Sequence, residues 1–291
     1  MEGEIKAELH CHSFYSKGEK IIVEGLNTPE EIIRHAKKIG LGCIAITDHN
    51  TTKGIERAKK EAKKQNIILI RGEEISTREG HLIALGIQEE IKPKISLEEA
   101  LDNIHRQGGI GIAPHPFDLK GVGLEKLSKK CDAVEIFNAL NIDRFANRRA
   151  EKFFDDRPHI AGSDAHWTEM MGYGLTIFKD CFNEDDCLKA IKRKKVRIEK
   201  KYIPIRIITE WSIKRINYSH HHIINYMNDN YSYPKRFIGK KMLELTKKSP
   251  GNIDYLFEFF AFLGFGFAIF FSFFINWVVG NIKDFGDLDV R

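Results

Sequence analysis

Short apolar runs punctuate the first two hundred residues. IKAEL (5–9), LGCIAIT (41–47), NIILIRG (66–72), HLIALGI (81–87), GIGIAP (109–114), DAVEIF (132–137) and HIAGS (159–163) each have the length and bounding residues of a buried strand. Helical patterns lie between several of them. One opens at Pro29-Glu30-Glu31 with Thr28 as N-cap and Gly40 as its stop. A second begins at Ser96, carries Glu98 and Glu99 in its first turn and ends at Gly108. A third, NEDDCLKAIKRKK (183–195), places acids at its start and cations at its end, as the helix dipole favours. Strands alternating with helices predict an α/β fold on a mostly parallel sheet, open or closed into a barrel.

The pattern changes after residue 201. Residues 202–252 mix Tyr, Asn, Lys and His with little periodicity and predict a helical connector. FFAFLGFGFAIFFSFFINWVVG (259–280) then carries no charge. About 20 apolar residues suffice to cross a bilayer core, so one transmembrane helix is expected over 253–282, with a short tail at 283–291. Lys240, Lys241, Lys247 and Lys248 precede it, and Lys283 and Arg291 follow among Asp284, Asp287 and Asp289. The positive-inside bias then predicts a single-pass membrane protein with its large N-terminal domain (1–201) on the cytoplasmic side. Trp211, Tyr231 and Tyr233 would sit at the membrane interface.

Composition adds limits. The chain has 291 residues, 30% of them charged, and a net charge of +5. It can bury a substantial core, and its charge permits an anionic partner without requiring nucleic acid. The five cysteines are scattered with no CxxC and no secretory leader, which favours a reducing compartment over a disulfide framework. The basic run KRKKVRIEKKYIPIR (192–206) lacks interleaved stacking aromatics, so a solvated helix end near anionic lipid fits it as well as nucleic acid does. His220-His221-His222 reads as a polar triplet near the membrane surface. Gly40-Leu41-Gly42 and Gly108-Gly109-Ile110-Gly111 run from a helix end into a strand, the reverse of a dinucleotide-binding turn.

Chemistry-bearing residues collect at the strand ends. His10 and His12 follow the first strand, Asp48 and His49 the second, Glu74 the third; His81 opens the fourth; His115 follows the fifth, Glu135 and Asn138 close the sixth, and Asp164 and His166 follow the seventh. In a parallel barrel those ends share one face. Histidines at i and i+2 on an extended segment point the same way, with Cys11 opposite. A carboxylate such as Glu74 can bridge two cations. Imidazole with carboxylate and no thiolate suits Zn²⁺, Mn²⁺ or Fe²⁺. His35, His105 and His159 stay outside this set.

ELHCHSFYS, AITDHNT, RGEEIS, GHLIALG, APHPF, EIFNA and AGSDAH, in this order, resemble the PHP (polymerase and histidinol phosphatase) family of metal-dependent phosphoesterases. The resemblance implies a distorted seven-stranded β/α barrel with two or three divalent metal ions. It implies His10, His12, Glu74 and Asp164 at one ion, Glu74 bridging to a second held by His81 and His115, and His49 and His166 at a third. By the family's motif the ligand is Glu74 rather than Glu73. Asp48 would orient neighbouring imidazoles, and Asn138 the phosphate or a ligand histidine. One departure stands out: Ser16-Lys17-Gly18 occupies the stretch where the family often reads Ser-Asp-Gly, whose acid helps hold the third metal. Either the third ion is weak or absent, or Glu19 or Glu24 replaces that acid; Lys17 itself is a substrate-phosphate contact or a plain loop lysine. The implied reaction is hydrolysis of a phosphate ester by a metal-activated water, with Asp164 or a nearby histidine passing protons. Nucleotides or short nucleic-acid ends are the expected substrates. A histidinol-phosphate-type phosphatase and a catalytically weakened, membrane-tethered metal-binding module are the alternatives.

Overall fold

A computed structural model describes residues 3–18, 21–118, 121–249 and 251–286, without the side chains of 265, 269, 272, 273 and 275–286. In chain order the elements are β1 (Glu4–Glu8), α1 (Pro29–Lys38), β2 (Cys43–Ile46), α2 (Ile55–Gln65), β3 (Ile68–Ser76), β4 (His81–Leu85), α3 (Leu97–Arg106), β5 (Ile110–Ala113), β6 (Ala133–Asn138), α4 (Arg144–Phe153), β7 (His159–Gly162), β8 (Gly174–Lys179), α5 (Glu184–Lys192) and β9 (Val196–Lys200). The helices α6 (Ile205–Tyr218), α7 (His220–Asn230), α8 (Lys235–Thr246) and α9 (Asn252–Gly286) complete the chain.

The strands form one sheet in the order β7-β6-β5-β4-β3-β2-β1-β8-β9. It curls nearly shut, since β7 also lies beside β8 and β9. The sheet has nine strands, not the seven expected. β8 and β9 are the additions. GLTIFK alternates small and apolar residues, and VRIEK hides Val196 and Ile198 inside the basic run, where charge masks the period-two pattern. Nor is the sheet mostly parallel. β1–β2, β2–β3, β5–β6 and β6–β7 are parallel, whereas β3–β4, β4–β5, β1–β8 and β8–β9 are antiparallel.

Local chemistry sets the helix starts. Thr28 Oγ1 accepts from the Glu31 amide at 3.2 Å while the Glu31 carboxylate accepts from the Thr28 amide at 2.8 Å, a reciprocal cap contributing about 1 kcal/mol. At the start of α3 Ser96 Oγ accepts from the Glu99 amide, and at the start of α5 Asn183 Oδ1 accepts from the Asp186 amide. One end of the barrel is plugged. Leu188 and Ile191 of α5 pack with Phe178 and the inward-facing Ile83, Ile112 and Ile160, each fully buried aliphatic side chain contributing roughly 1.5–3 kcal/mol. Only the opposite end, where β1, β2, β3 and β5 to β7 finish, is left for a site.

Among the described residues no helix is long and apolar enough to cross a membrane. This overturns the transmembrane helix expected over 253–282, the single-pass membrane localisation with a cytoplasmic catalytic domain, and the membrane as a partner. The residues read as a span belong to α9, which lies against α6 and α4. Glu258 of α9 approaches Arg206 of α6 at 3.6 Å, and Ala261, Gly264 and Ala268 face a cavity at the open end of the barrel. A hydropathy window registers apolar composition and not its surroundings: small residues of this stretch line the cavity, while Phe260, Phe262, Phe267 and Phe270 stand exposed. Trp211, expected at a membrane interface, is buried in the core beside Ile208. Residues 287–291 of the expected tail, and Glu19, lie outside the described residues.

Candidate metal centre

The open end of the barrel gathers the strand-end residues around one carboxylate. Glu74, fully buried on β3, turns Oε2 toward His10 Nε2 (3.3 Å), His12 Nε2 (3.3 Å) and His49 Nδ1 (3.2 Å). Its Oε1 faces His81 Nδ1 (2.8 Å) and His115 Nε2 (3.2 Å). Asp164 Oδ1 lies 3.4 Å from His10 Nε2, 3.3 Å from His12 Nε2 and 3.5 Å from His166 Nδ1. His81 joins the others from the start of its strand because β4 runs antiparallel to β3, with Ser76 opposite His81. His115 and Asp164 have positive φ, +29° and +53°, conformations that cost a non-glycine residue energy and turn both side chains back over the barrel mouth.

A surrounding layer fixes these groups. Glu135 Oε1 meets His10 Nδ1 at 2.9 Å, and its Oε2 accepts from the His115 amide (2.9 Å) and Asn138 Nδ2 (2.9 Å). Asn138 Nδ2 also reaches Asp164 Oδ2 at 3.3 Å. A Cβ on Gly162 would stand 2.4 Å from the Glu135 carboxylate and 2.6 Å from His10 Cβ, so only glycine fits there. His12 Nδ1 meets Ser16 Oγ at 2.9 Å, and Ser16 Oγ accepts from the His49 amide at 2.8 Å. Asp48 accepts from both the amide and the hydroxyl of Ser13 at 2.6 Å; it anchors the loop behind His12 rather than touching an imidazole. Cys11 points away and donates to the Ala45 carbonyl at 3.2 Å.

Electrostatics sort the cluster. Burial alone would raise Glu74, but His49, His81 and His10 hold its carboxyl well below the usual range. Asp164 is likewise held low against burial, chiefly by His10, His12 and His166. Burial pushes His12 down, yet Asp164 and Glu74 outweigh it and lift the imidazole to about 9. His49 is pushed to about 3, first by burial and then by the neighbouring imidazoles of His12 and His81, despite Glu74.

The donor set fits divalent cations. His12 Nε2, His49 Nδ1 and His115 Nδ1 are buried without a hydrogen bond, which is costly unless a ligand meets them. Four triads place their donor atoms within 4.8 Å of one another: His10, His12 and Glu74; His49, Glu74 and His81; His10, His115 and Asp164; His12, His49 and His166. Glu24 adds a carboxylate whose Oε2 lies 3.4 Å from His49 Nε2 and has no hydrogen bond. Lys17 is exposed and does not line the cavity.

The PHP domain family model matches residues 8–130, and the PHP-associated model residues 144–196. An uncharacterized protein of Methanocaldococcus jannaschii is 38% identical over 152 residues, covering 50% of this chain and 89% of that protein. The chain belongs to the PHP domain family. A 5′-3′ exoribonuclease of Haemophilus influenzae is 37% identical over 95 residues, 31% of this chain and 32% of that enzyme. The crystal structure of a two-domain Bacteroides vulgatus protein, described as containing a predicted PHP-like metal-dependent phosphoesterase, superposes with a TM-score of 0.54 at 18% identity. That superposition covers 68% of this chain and 65% of the other, and it shows a shared fold.

Three residues at this PHP site go beyond the ligands and neighbours that the family resemblance implies. Glu135 had a local signal, an acid inside the fully buried strand AVEIFN. Arg215 and its neighbour Trp211, on α6 beyond both family matches, had none.

Proposed function

We propose that this PHP protein is a metal-dependent phosphoesterase that hydrolyses a phosphate ester of a nucleotide or of a short nucleic-acid end. The observation that carries the reading is the division of Glu74: His10, His12 and His49 face one oxygen, His81 and His115 the other. That carboxylate would bridge two cations. Asp164 would close the first position with His10 and His12, and His81 and His115 would hold the second. Glu24, with His49 and His166, would serve a third position in place of the acid missing at Lys17. Bound there, divalent cations supply Lewis-acid polarisation of phosphoryl oxygens and lower the pKa of water.

The chain's own groups do the positioning. Glu135 fixes the His10 ring through Nδ1 and, through Asn138, one oxygen of Asp164. His10, His12 and His166 hold the Asp164 carboxyl well below the usual range, so it is available as an ionised ligand to a cation. The cavity over the cluster is about 690 Å³ and is walled by Leu140, Ile142, Ile208 and Ala261, large enough for more than a bare phosphate. The exoribonuclease relative supports a nucleotide over a smaller ester.

The deciding experiment counts metals on the full chain and then measures turnover of an aryl phosphate, a 3′,5′-bisphosphate nucleotide, short RNA and histidinol phosphate with Mn²⁺, Zn²⁺ or Fe²⁺. Two or more ions per chain and fastest turnover of a nucleotide substrate are expected. Metal binding without hydrolysis of any ester would overturn the enzymatic reading. A clear preference for histidinol phosphate would overturn the substrate class.

A further inference from the structure

Among the described residues, the cavity over the metal centre is lined by five carboxylates, Glu24, Glu74, Asp118, Asp143 and Asp164, and by a single arginine or lysine, Arg215. Arg215 projects from α6, which follows the last residue matched by either family model. Its guanidinium carbon lies over Trp211, 4.3 Å from the ring centroid. Trp211 is in turn fixed at two edges: Nε1 donates to the Glu24 carbonyl at 2.9 Å, and the ring sits 5.0 Å from that of His166. The platform under Arg215 is therefore tied to the loop and the imidazole that flank the metal centre.

Arg215 is short of partners. Its Nε is buried with no hydrogen bond, and Glu24, the acid whose charge it feels, forms no ion pair with it within 4 Å. A guanidinium presents five donors in a planar fork and cannot shed its charge. Half-buried, stacked on Trp211 and with a buried Nε that has no hydrogen bond, it is set up beside the cavity to accept an oxyanion with two parallel hydrogen bonds. The neighbouring carboxylates argue against an anion there until cations neutralise them. The site then becomes one in which metals and Arg215 face the same guest.

We propose that Arg215, seated on Trp211, is a substrate-binding residue that grips phosphate oxygens on the His49–His166 flank of the metal centre. This rests on the phosphoesterase reading above. The oxygens belong either to the phosphate being hydrolysed or to a second phosphate of the same substrate, and the two sources separate experimentally. Lys17, the cation that the sequence brings nearest the ligand histidines, does not reach the cavity, and Arg215 supplies the charge from the far end of the chain.

The test uses the full, metal-loaded chain with Arg215→Met and Arg215→Lys. Metal content and thermal melting are measured first, to show that each variant is folded and loaded. Binding of inorganic phosphate is then followed by calorimetry, a readout that needs no turnover and so survives failure of the phosphoesterase reading. Arg215→Met is expected to weaken phosphate binding or raise KM by about ten- to a hundredfold with kcat changed little, and Arg215→Lys to recover part of the loss. If an aryl phosphate and a 3′,5′-bisphosphate nucleotide suffer alike, Arg215 holds the reacting phosphate. If only the bisphosphate suffers, and inorganic phosphate binds as before, it holds the second. Phosphate affinity and both KM values within twofold of wild type in folded, metal-loaded Arg215→Met would overturn the proposal. So would a loss confined to kcat.

Discussion

The floor and the wall of the cavity are built differently. The floor is made of strand ends: His10, Glu74 and Glu135 stand on, or two residues beyond, strands paired on both sides, and Asp164 stands two residues beyond β7, which is paired with β6. Each floor group has a second group fixing it, as Glu135 fixes His10. The wall comes from the loop after β6 and from α6 and α9, and its helical members, Trp211, Arg215, Ala261 and Gly264 among them, reach the cavity singly from helices packed on the outside. A floor locked by sheet geometry suits chemistry that tolerates little displacement. A wall of helices can change without disturbing that geometry, which suits selection of the substrate.

Breaking the floor has the largest expected effect. Asp164→Asn or His12→Ala removes a donor from the group around Glu74 and should lower turnover by at least about 10³-fold in a metal-replete assay, while the far-ultraviolet circular dichroism and melting temperature show a folded barrel. Unchanged turnover would remove these residues from the site. Glu135→Gln probes the layer behind the floor. It keeps the shape but weakens the hold on His10 Nδ1, the His115 amide and Asn138, and metal affinity should fall about 10–100-fold, read by competition with a chelating dye.

The wall should respond to substrate size. Gly264 of α9 lines the cavity, and a Cβ added there meets nothing within 4 Å. Gly264→Leu would fill space without a clash. The KM for short RNA should rise about tenfold while that for an aryl phosphate stays within twofold. Equal effects on both substrates would mean that α9 supports the fold instead of screening the guest.

The same division explains what could be read from the sequence. Floor residues follow short apolar runs, and those runs were recognisable because β2, β5 and β7 are buried on both faces and therefore continuous in hydrophobicity. β9 was hidden because only one of its faces is covered and the other carries Arg197 and Glu199. Arg215 was hidden for a different reason. The loop of Glu24 and the metal centre that it faces precede it by most of the chain length, and nothing local distinguishes it from Lys214 beside it. The uncharged stretch at 259–280 was misread because composition does not say which apolar surface a helix will meet. Lys17 was legible as a departure from a pattern; that an acid from a later loop, Glu24, comes to His49 depends on the path of residues 21–27, pinned by Val23 to Ser219 (3.0 Å) and by Leu26 to His166 (2.9 Å).

The sharpest comparison within one strand, read in stability and not in turnover, concerns Glu73 and Glu74. Both are buried on β3, on opposite faces of the sheet. Imidazoles keep Glu74 ionised against burial. Glu73 meets no cation: its Oε1 accepts from the Ile91 amide at 2.6 Å, its Oε2 has no partner, and burial raises it from 4.5 to about 8. The folded chain therefore holds this proton over a range in which the unfolded chain has released it. The contribution of this group to wild-type stability falls as pH rises from about 4.5 to about 8, by up to about 1.4 kcal/mol per pH unit, and is constant above that range. Glu73→Gln keeps the acceptor for Ile91 and cannot titrate, so its stability relative to wild type should climb between pH 5 and 8 and then level off. Urea denaturation of both proteins across that range reads the difference directly, because the titration of the metal centre is common to both. A difference that stays constant with pH would mean that Glu73 is ionised in the folded chain, as its neighbour is.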